Sequence, residues 1–179
     1  IRDSGDRILI SNSDGKILDG DDILYILSNN ISPDTGVVGT LMTNKALELY
    51  FEKNDIPFLR AEVGDKYVLH KLIEKSWFLG GEPSGHVICL DCAPTGDAII
   101  AALKLLHAIK DNNFSLKKSL EEFTKFPQTL INLKVNNPNK IIISDKFWSE
   151  VTRIEKQLGE NGLSLIHISE PTRQPLSAD

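Results

Sequence analysis

The sequence predicts a layered α/β domain with parts of two other domains beside it, and three observations carry that prediction. Short apolar runs alternate with helical stretches from Val37 to Phe126, the pattern of βαβ units built into a sheet. Apolar residues make up 41% and charged residues 25% of the 179, the balance of an ordinary soluble globular chain. Glycine-rich polar stretches follow the strand-like runs, where functional groups gather in such folds.

Taken in order, "RILIS" (7–11) and "KILDG" (16–20) are two short runs around the turn "NSDGK", which reads as a hairpin. "DDILYILSNN" has apolar residues at helical spacing, with Asp21 or Asp22 as its cap. "ISPDTG" is a loop and an expected domain boundary, placing residues 5–34 before the layered domain. "VVGTLM" is a strand of buried type and "TNKALELYFEKN" a helix; "DIPFLRAEV" is a turn and strand, and "GDKYVLHKLIEKS" a helix. "WFLGG" and "HVICLD" are strands, and "TGDAIIAALKLLHAIKDN" is a long, buried amphipathic helix. "SLKKSLEEFTKF" is a further helix capped by Ser115, which closes a domain spanning 35–126. Beyond Pro127, "QTLINLKV" is a strand, "NNPNK" a polar linker and "SDKFWSEVTRIEKQLGENG" a helix capped by Ser144 or Asp145. Residues 127–162 therefore read as a linker and the opening of another domain.

Charge and composition narrow the function. A net charge of −5 with no basic stripe argues against nucleic acid as a partner. No apolar run reaches the roughly 18 residues of a membrane span, and no basic start leads into an apolar stretch, so the expected compartment is the cytoplasm. Cys89 and Cys92 form a C-x-x-C without a second pair, and His86 would supply only a third zinc ligand. They read as incidental thiols at a strand end.

The two ends stand apart. Ile1–Ser4 and Leu163–Ile166 can be back-translated into an inverted repeat that matches a transposase adapter used in sequencing-library preparation, and "HISEPTR" continues that adapter. Residues 1–4 and 163–179 are accordingly expected to be an adapter-derived scar rather than native chain.

Three clusters carry candidate chemistry. "GDR" places Asp6 and Arg7 beside a glycine just before a strand, suited to a metal or phosphate loop and equally to a plain turn. In "EVGDKYVLHK", Gly64 ends a strand, Asp65 caps the next helix, and Lys66 adds a positive charge where a helix start favours anions. In "LGGEPSGHV", glycines 80, 81 and 85 let the chain bend, while Glu82, Ser84 and His86 offer an acceptor, a hydroxyl and an imidazole. That set suits a polyol or amino sugar; the other reading is a glycine-rich hairpin with incidental polar residues. A Ser-His-acid hydrolase needs nucleophile and base in contact, and the spacing suits recognition better.

Together these segments resemble the α-D-phosphohexomutases. "GDRI" is similar to the end of the family's metal loop D-G-D-G-D-R, and "VVGTLMTNKALE" to the start of its third domain. "VGDKYVLHKL" resembles the active-site turn, "GGEPSGHV" the sugar loop G-E-x-S-G-H, and "TGDAIIAALKLL" the helix after it. "VGTLMTN", "VGDKYV" and "TGDAI" favour the glucosamine branch over the phosphomannomutase/phosphoglucomutase branch. The resemblance implies an α/β/α third domain with partial flanking domains, and a phosphoserine enzyme interconverting glucosamine 6-phosphate and glucosamine 1-phosphate through a 1,6-bisphosphate. It implies Mg2+ at the metal loop, of which Asp6 alone matches, because the other two positions fall on Arg2 and Ser4. Arg7 would lie near the phosphoserine, Asp65 and Lys66 would face the substrate, Gly64 would belong to the same turn, and Glu82 and Ser84 would grip sugar hydroxyls with His86 supporting them. The serine segment and the distal phosphate loop are missing by this reading, so the chain itself should not catalyse. A stand-alone sugar-phosphate-binding module is the alternative.

Overall fold

In a computed structural model, residues 5–32, 34–111, 123–131, 133–135, 141, 143–159 and 162–166 are described. The chain divides into two compact units, 1–128 and 129–179.

The first unit is built on a four-stranded sheet. Its strands are β3 (Val37–Thr40), β4 (Phe58–Ala61), β5 (Leu79–Gly81) and β6 (Val87–Cys89), in the order β4-β3-β5-β6. β3 runs parallel to β4 and β5, whereas β6 returns antiparallel to β5, pairing Gly81 with Val87. Before the sheet, β1 (Ile10–Ser11) and β2 (Ile17–Leu18) form the expected hairpin, whose turn is closed by Asn12 accepting from the Asp14 and Lys16 amides.

Period-two alternation decides which helix covers which face. Val37, Leu79, Val87 and Cys89 enter one core with α1 (Gly20–Ser28), α2 (Lys45–Lys53) and α4 (Ala98–Asp111). Val38, Ala61 and Ile88 point the other way, onto Val68 and Leu72 of α3 (Asp65–Lys75). The result is the expected α/β/α layering. All nine residues of α1 are buried, and the helix packs on β5 and α4. The boundary expected after residue 34 therefore falls inside a single compact unit.

Several local expectations are corrected. The cap of α1 is Asp19, not Asp21 or Asp22: its carboxylate accepts from both of their amides, and Asp22 returns the bond to the Asp19 N–H. The apolar spacing located the turn but not which of three acids opens it. α3 starts from Gly64 at φ +129 with no side-chain cap, and Asp65 merely accepts from the Lys66 amide. α4 is buried only along Ala98, Ala101, Leu105 and Ala108, while Ile99, Leu103 and Leu106 face outward. "QTLINLKV" forms no strand in its described residues, and Leu130, Ile131 and Leu133 lie exposed. Alternation specifies a strand only where a neighbour completes its ladder. The helix expected to start at Ser115 lies in 112–122, outside the described residues. In the second unit, α5 (Asp145–Leu158) follows Ser144 as expected, without a side-chain capping bond and with no buried residue. Cys89 and Cys92 are both free thiols.

A strap from the far end of the first unit fastens onto α1. Lys125 Nζ donates to Asp19 Oδ1 at 2.5 Å and to Asp22 Oδ2 at 2.7 Å. The Asn44 side chain exchanges two hydrogen bonds with the Phe126 backbone, and Phe123 stacks on Tyr25 with centroids 4.6 Å apart. Burial pushes the Lys125 ammonium down, but the bonds to Asp19 and Asp22 outweigh it and leave its pKa raised. Beside this pair, Asp21 accepts from the Asn44 amide and is pushed by burial from an ordinary 3.8 to about 7.

An acid whose folded pKa is raised holds its proton longer in the native state, so its contribution to stability falls as pH rises from about 4 through 7. Urea unfolding at pH 5.5 and 8.0 is expected to show about 2 kcal/mol of stability lost through Asp21 over that interval. Asp21→Asn should remove that slope; an unchanged slope would place the titration elsewhere.

Candidate functional site

The parallel strands β3, β4 and β5 end together, so the segments after Ala61 and Gly81 share one edge of the sheet. Glu82 follows β5 directly and is 7% exposed. Its Oε1 accepts from the Gly64 amide at 2.9 Å, which ties the start of α3 to the end of β5. Ser84 Oγ donates to Glu82 Oε2 at 3.4 Å. The turn is closed by Glu82 N–H donating to His86 O and Gly85 N–H donating to Glu82 O, at 2.9 and 3.0 Å.

This turn is held from outside as well. The Ile8 amide donates to Gly85 O and the Gly20 amide to Pro83 O, and Arg7 pairs with His86 as an antiparallel bridge. Gly20 is required there by space: a Cβ on it would lie 1.8 Å from Glu82 O, with backbone on both sides of the contact.

His86 is 3% exposed. Its Nδ1 lies 3.4 Å from Asp6 Oδ2, and its Nε2 lies 4.0 Å from Asp65 Oδ2. Nε2 has no hydrogen-bond partner among the described residues. The imidazole thus stands between the carboxylates of two chain segments, one before the hairpin and one at the start of α3.

Six of the eight candidate residues converge. Gly64, Glu82 and Ser84 form one hydrogen-bonded set, and Asp6, Asp65 and His86 form an adjoining one. Arg7 joins through its backbone, and the Lys66 ammonium lies over the Tyr67 ring, 4.7 Å from its centroid. Gly20 was missed from the sequence: a glycine flanked by aspartates marks a turn, but nothing in it announces a backbone approach from residue 82.

Chemically, the set offers a buried carboxylate, a hydroxyl and an imidazole along one turn, groups that donate to and accept from the hydroxyls of a sugar ring. Ser84 is directed to Glu82 rather than to His86, so the nucleophile–base contact of a hydrolytic triad is not formed. The described residues alone do not complete a magnesium site. No three acidic, histidine or cysteine side chains converge on a metal position among the described residues. Asp6 supplies a single carboxylate, and positions 2 and 4 lie outside the described residues.

The comparisons with known proteins fall on this same region. Residues 19–126 match the family described as phosphoglucomutase/phosphomannomutase, alpha/beta/alpha domain III. The chain belongs to that family, and the match takes in α1 together with the sheet. Among curated relatives it is similar to the phosphoglucosamine mutase of Janthinobacterium sp. (strain Marseille), 42% identical over 172 residues, covering 92% of this chain and 38% of that protein. The phosphoglucosamine mutase of Pseudomonas entomophila is 49% identical over 134 residues, covering 73% of this chain and 30% of that protein. The chain thus spans well under half the length of these relatives. Among solved structures, an N-acetylglucosamine-phosphate mutase in a product complex aligns with a TM-score of 0.66 at 21% identity, over 86% of this chain and 39% of that one. Aspergillus fumigatus N-acetylphosphoglucosamine mutase, in complex with GlcNAc-6P and magnesium, aligns with a TM-score of 0.60 at 22% identity, over 75% and 37%.

Gly20→Ala is expected to destabilise the first unit by about 1–3 kcal/mol, the usual cost of forcing a methyl into packed backbone. Urea unfolding measures it, with the exposed Lys16→Ala as the control that should stay within about 0.5 kcal/mol of the parent.

Proposed function

We propose that the chain is the sugar-binding part of a phosphoglucosamine mutase, whose whole protein interconverts glucosamine 6-phosphate and glucosamine 1-phosphate. The single observation that carries this reading is the Glu82–Ser84 pair, anchored on the Gly64 amide at the strand ends. Its setting is a chain 42% and 49% identical to phosphoglucosamine mutases. In this reading Glu82 and Ser84 grip hydroxyls of the sugar, and the amino group of glucosamine adds a donor for Glu82. His86 holds the turn against the Asp6 and Asp65 segments. Asp65 and Lys66 face the substrate from the start of α3, and Arg7 lies toward the phosphoryl group.

The reaction proposed for the whole protein runs from a phosphoserine through a 1,6-bisphosphate that is turned over between two transfers. A recognition turn of acceptors and hydroxyls suits that task, because the sugar must be held in two orientations. The serine and the distal phosphate-binding residues are assigned to segments outside these 179 residues, so this piece alone is inactive. Magnesium use belongs to the whole protein in the same proposal, with Asp6 as the one matching carboxylate here. Residues 1–4 and 163–179 remain assigned to adapter, 127–162 to a linker and a following domain, and the setting to cytoplasmic synthesis of amino-sugar precursors of peptidoglycan.

A second reading is favoured by the family's own description, which names glucose and mannose phosphate mutases. The deciding assay uses a full-length protein carrying this segment, with magnesium and each hexose 6-phosphate in turn. Conversion of glucosamine 6-phosphate should dominate, and Glu82→Ala and Ser84→Ala should each lower kcat/KM, Glu82→Ala by roughly 10²-fold because positioning is lost. Activity confined to mannose or glucose phosphates would move the protein to the second reading. No mutase activity at all would leave only a binding module.

A further inference from the structure

The stretch "TGDAI" that leads into α4 meets the turn of residues 82–86 at Gly96, which is buried against the imidazole of His86. A Cβ on Gly96 would lie 2.2 Å from His86 Nε2, 2.6 Å from Cε1 and 2.9 Å from Cδ2. Its three nearest neighbours would thus all be atoms of that one ring. Gly96 does not have a positive φ, so space and not backbone conformation bars a side chain there.

Neither partner can give way cheaply. The His86 ring is 3% exposed, with Nδ1 3.4 Å from Asp6 Oδ2 and Nε2 4.0 Å from Asp65 Oδ2. Its backbone is held by the bridge to Arg7, and its carbonyl accepts from the Glu82 N–H. On the other side, Asp97 Oδ1 accepts from the Ile99 and Ile100 amides and caps α4, while the Ala98 amide donates to Gly5 O at 3.1 Å. The segment carrying Gly96 is thereby bonded to the segment carrying Asp6, and both wall the same imidazole. A methyl forced into so tight a place drives a side chain off its preferred rotamer, and the side chain it meets is His86.

We propose that Gly96 is a positioning residue of the sugar site: its missing side chain is the floor on which His86 lies between Asp6 and Asp65. A larger residue at 96 tilts the imidazole, and with it the Asp65 carboxylate proposed to face the substrate. Gly96 acts only through His86. Its effect on activity rests on the reading of residues 82–86 as the sugar turn; its packing on His86 does not.

The test has two arms. On the 179-residue chain, the ring proton and carbon shifts of His86 are followed with no ligand present. Gly96→Ala should move them and lower the urea midpoint. His86→Ala should cancel that drop, because the clash is with its ring alone. In a full-length protein carrying this segment, Gly96→Ala should lower kcat/KM for glucosamine 6-phosphate by roughly tenfold or more. In a His86→Ala background the same substitution should cost less than about twofold. Gly36→Ala is the control, at the opposite end of β3, where a Cβ would lie 2.4 Å from Pro57 O and 2.7 Å from the Trp77 ring. It should lower the urea midpoint and leave kcat/KM unchanged. The proposal is overturned by unmoved His86 ring shifts in Gly96→Ala, by the full loss of kcat/KM persisting in the His86→Ala background, or by an equal loss in Gly36→Ala. A parent without mutase activity sinks the proposed function instead, and the ring shifts and the midpoint rescue then decide whether Gly96 positions His86.

Discussion

The turn at residues 82–86 exists in its observed form because the backbone of α1 comes within van der Waals reach of it. Gly20 donates to Pro83 O and leaves the space that any Cβ would take from Glu82 O. Everything downstream follows from that approach. With the turn seated, the Glu82 carboxylate points at the Gly64 amide, which sets where α3 begins and where Asp65 stands. His86, the residue after the Glu82–Gly85 turn, is then delivered between Asp6 and Asp65. A single steric requirement near the start of the unit thus fixes side chains contributed by three separate loops.

A second layer of constraint keeps α1 itself in place. Its first turn carries three aspartates, an arrangement that would repel itself if left alone. Lys125 bonds two of them at once, and the third accepts from the Asn44 amide while burial raises its pKa. The acids near a helix N-terminus are also favoured by the helix dipole. The segment carrying Lys125 is therefore a structural counter-ion as much as a connection, and it braces the same helix whose first residue seats the 82–86 turn.

Much of this was legible in the sequence, and the failures have physical reasons. Periodicity and apolar runs located β3 to β6 and α1 to α4, because each packs against neighbours within the same unit. The acid, hydroxyl and imidazole of the 82–86 turn stood out by composition alone. What could not be read was contact at long range: Lys125 meets Asp19 across 106 positions, and no local pattern announces it. The cap of α1 slipped by two or three residues because three acids compete for one role. "QTLINLKV" has the alternation of a strand but no ladder partner among the described residues, and the outer stripe of α4 is as apolar as its buried one, so composition could not tell the two faces apart. Asp6, matched to a metal loop, is the only carboxylate of that loop to be found among the described residues.

The antiparallel return of β6 has a mechanical consequence. Because both arms of the 82–86 turn are strands of one sheet, and its tip is clamped by Ile8 and Gly20, the turn is an anvil rather than a jaw. It has no hinge of its own: swinging it would break the β5–β6 ladder and the backbone bonds to both flanking segments together. The groups it presents are therefore fixed in place, and any rearrangement at this edge of the sheet has to come from what approaches the turn rather than from the turn itself.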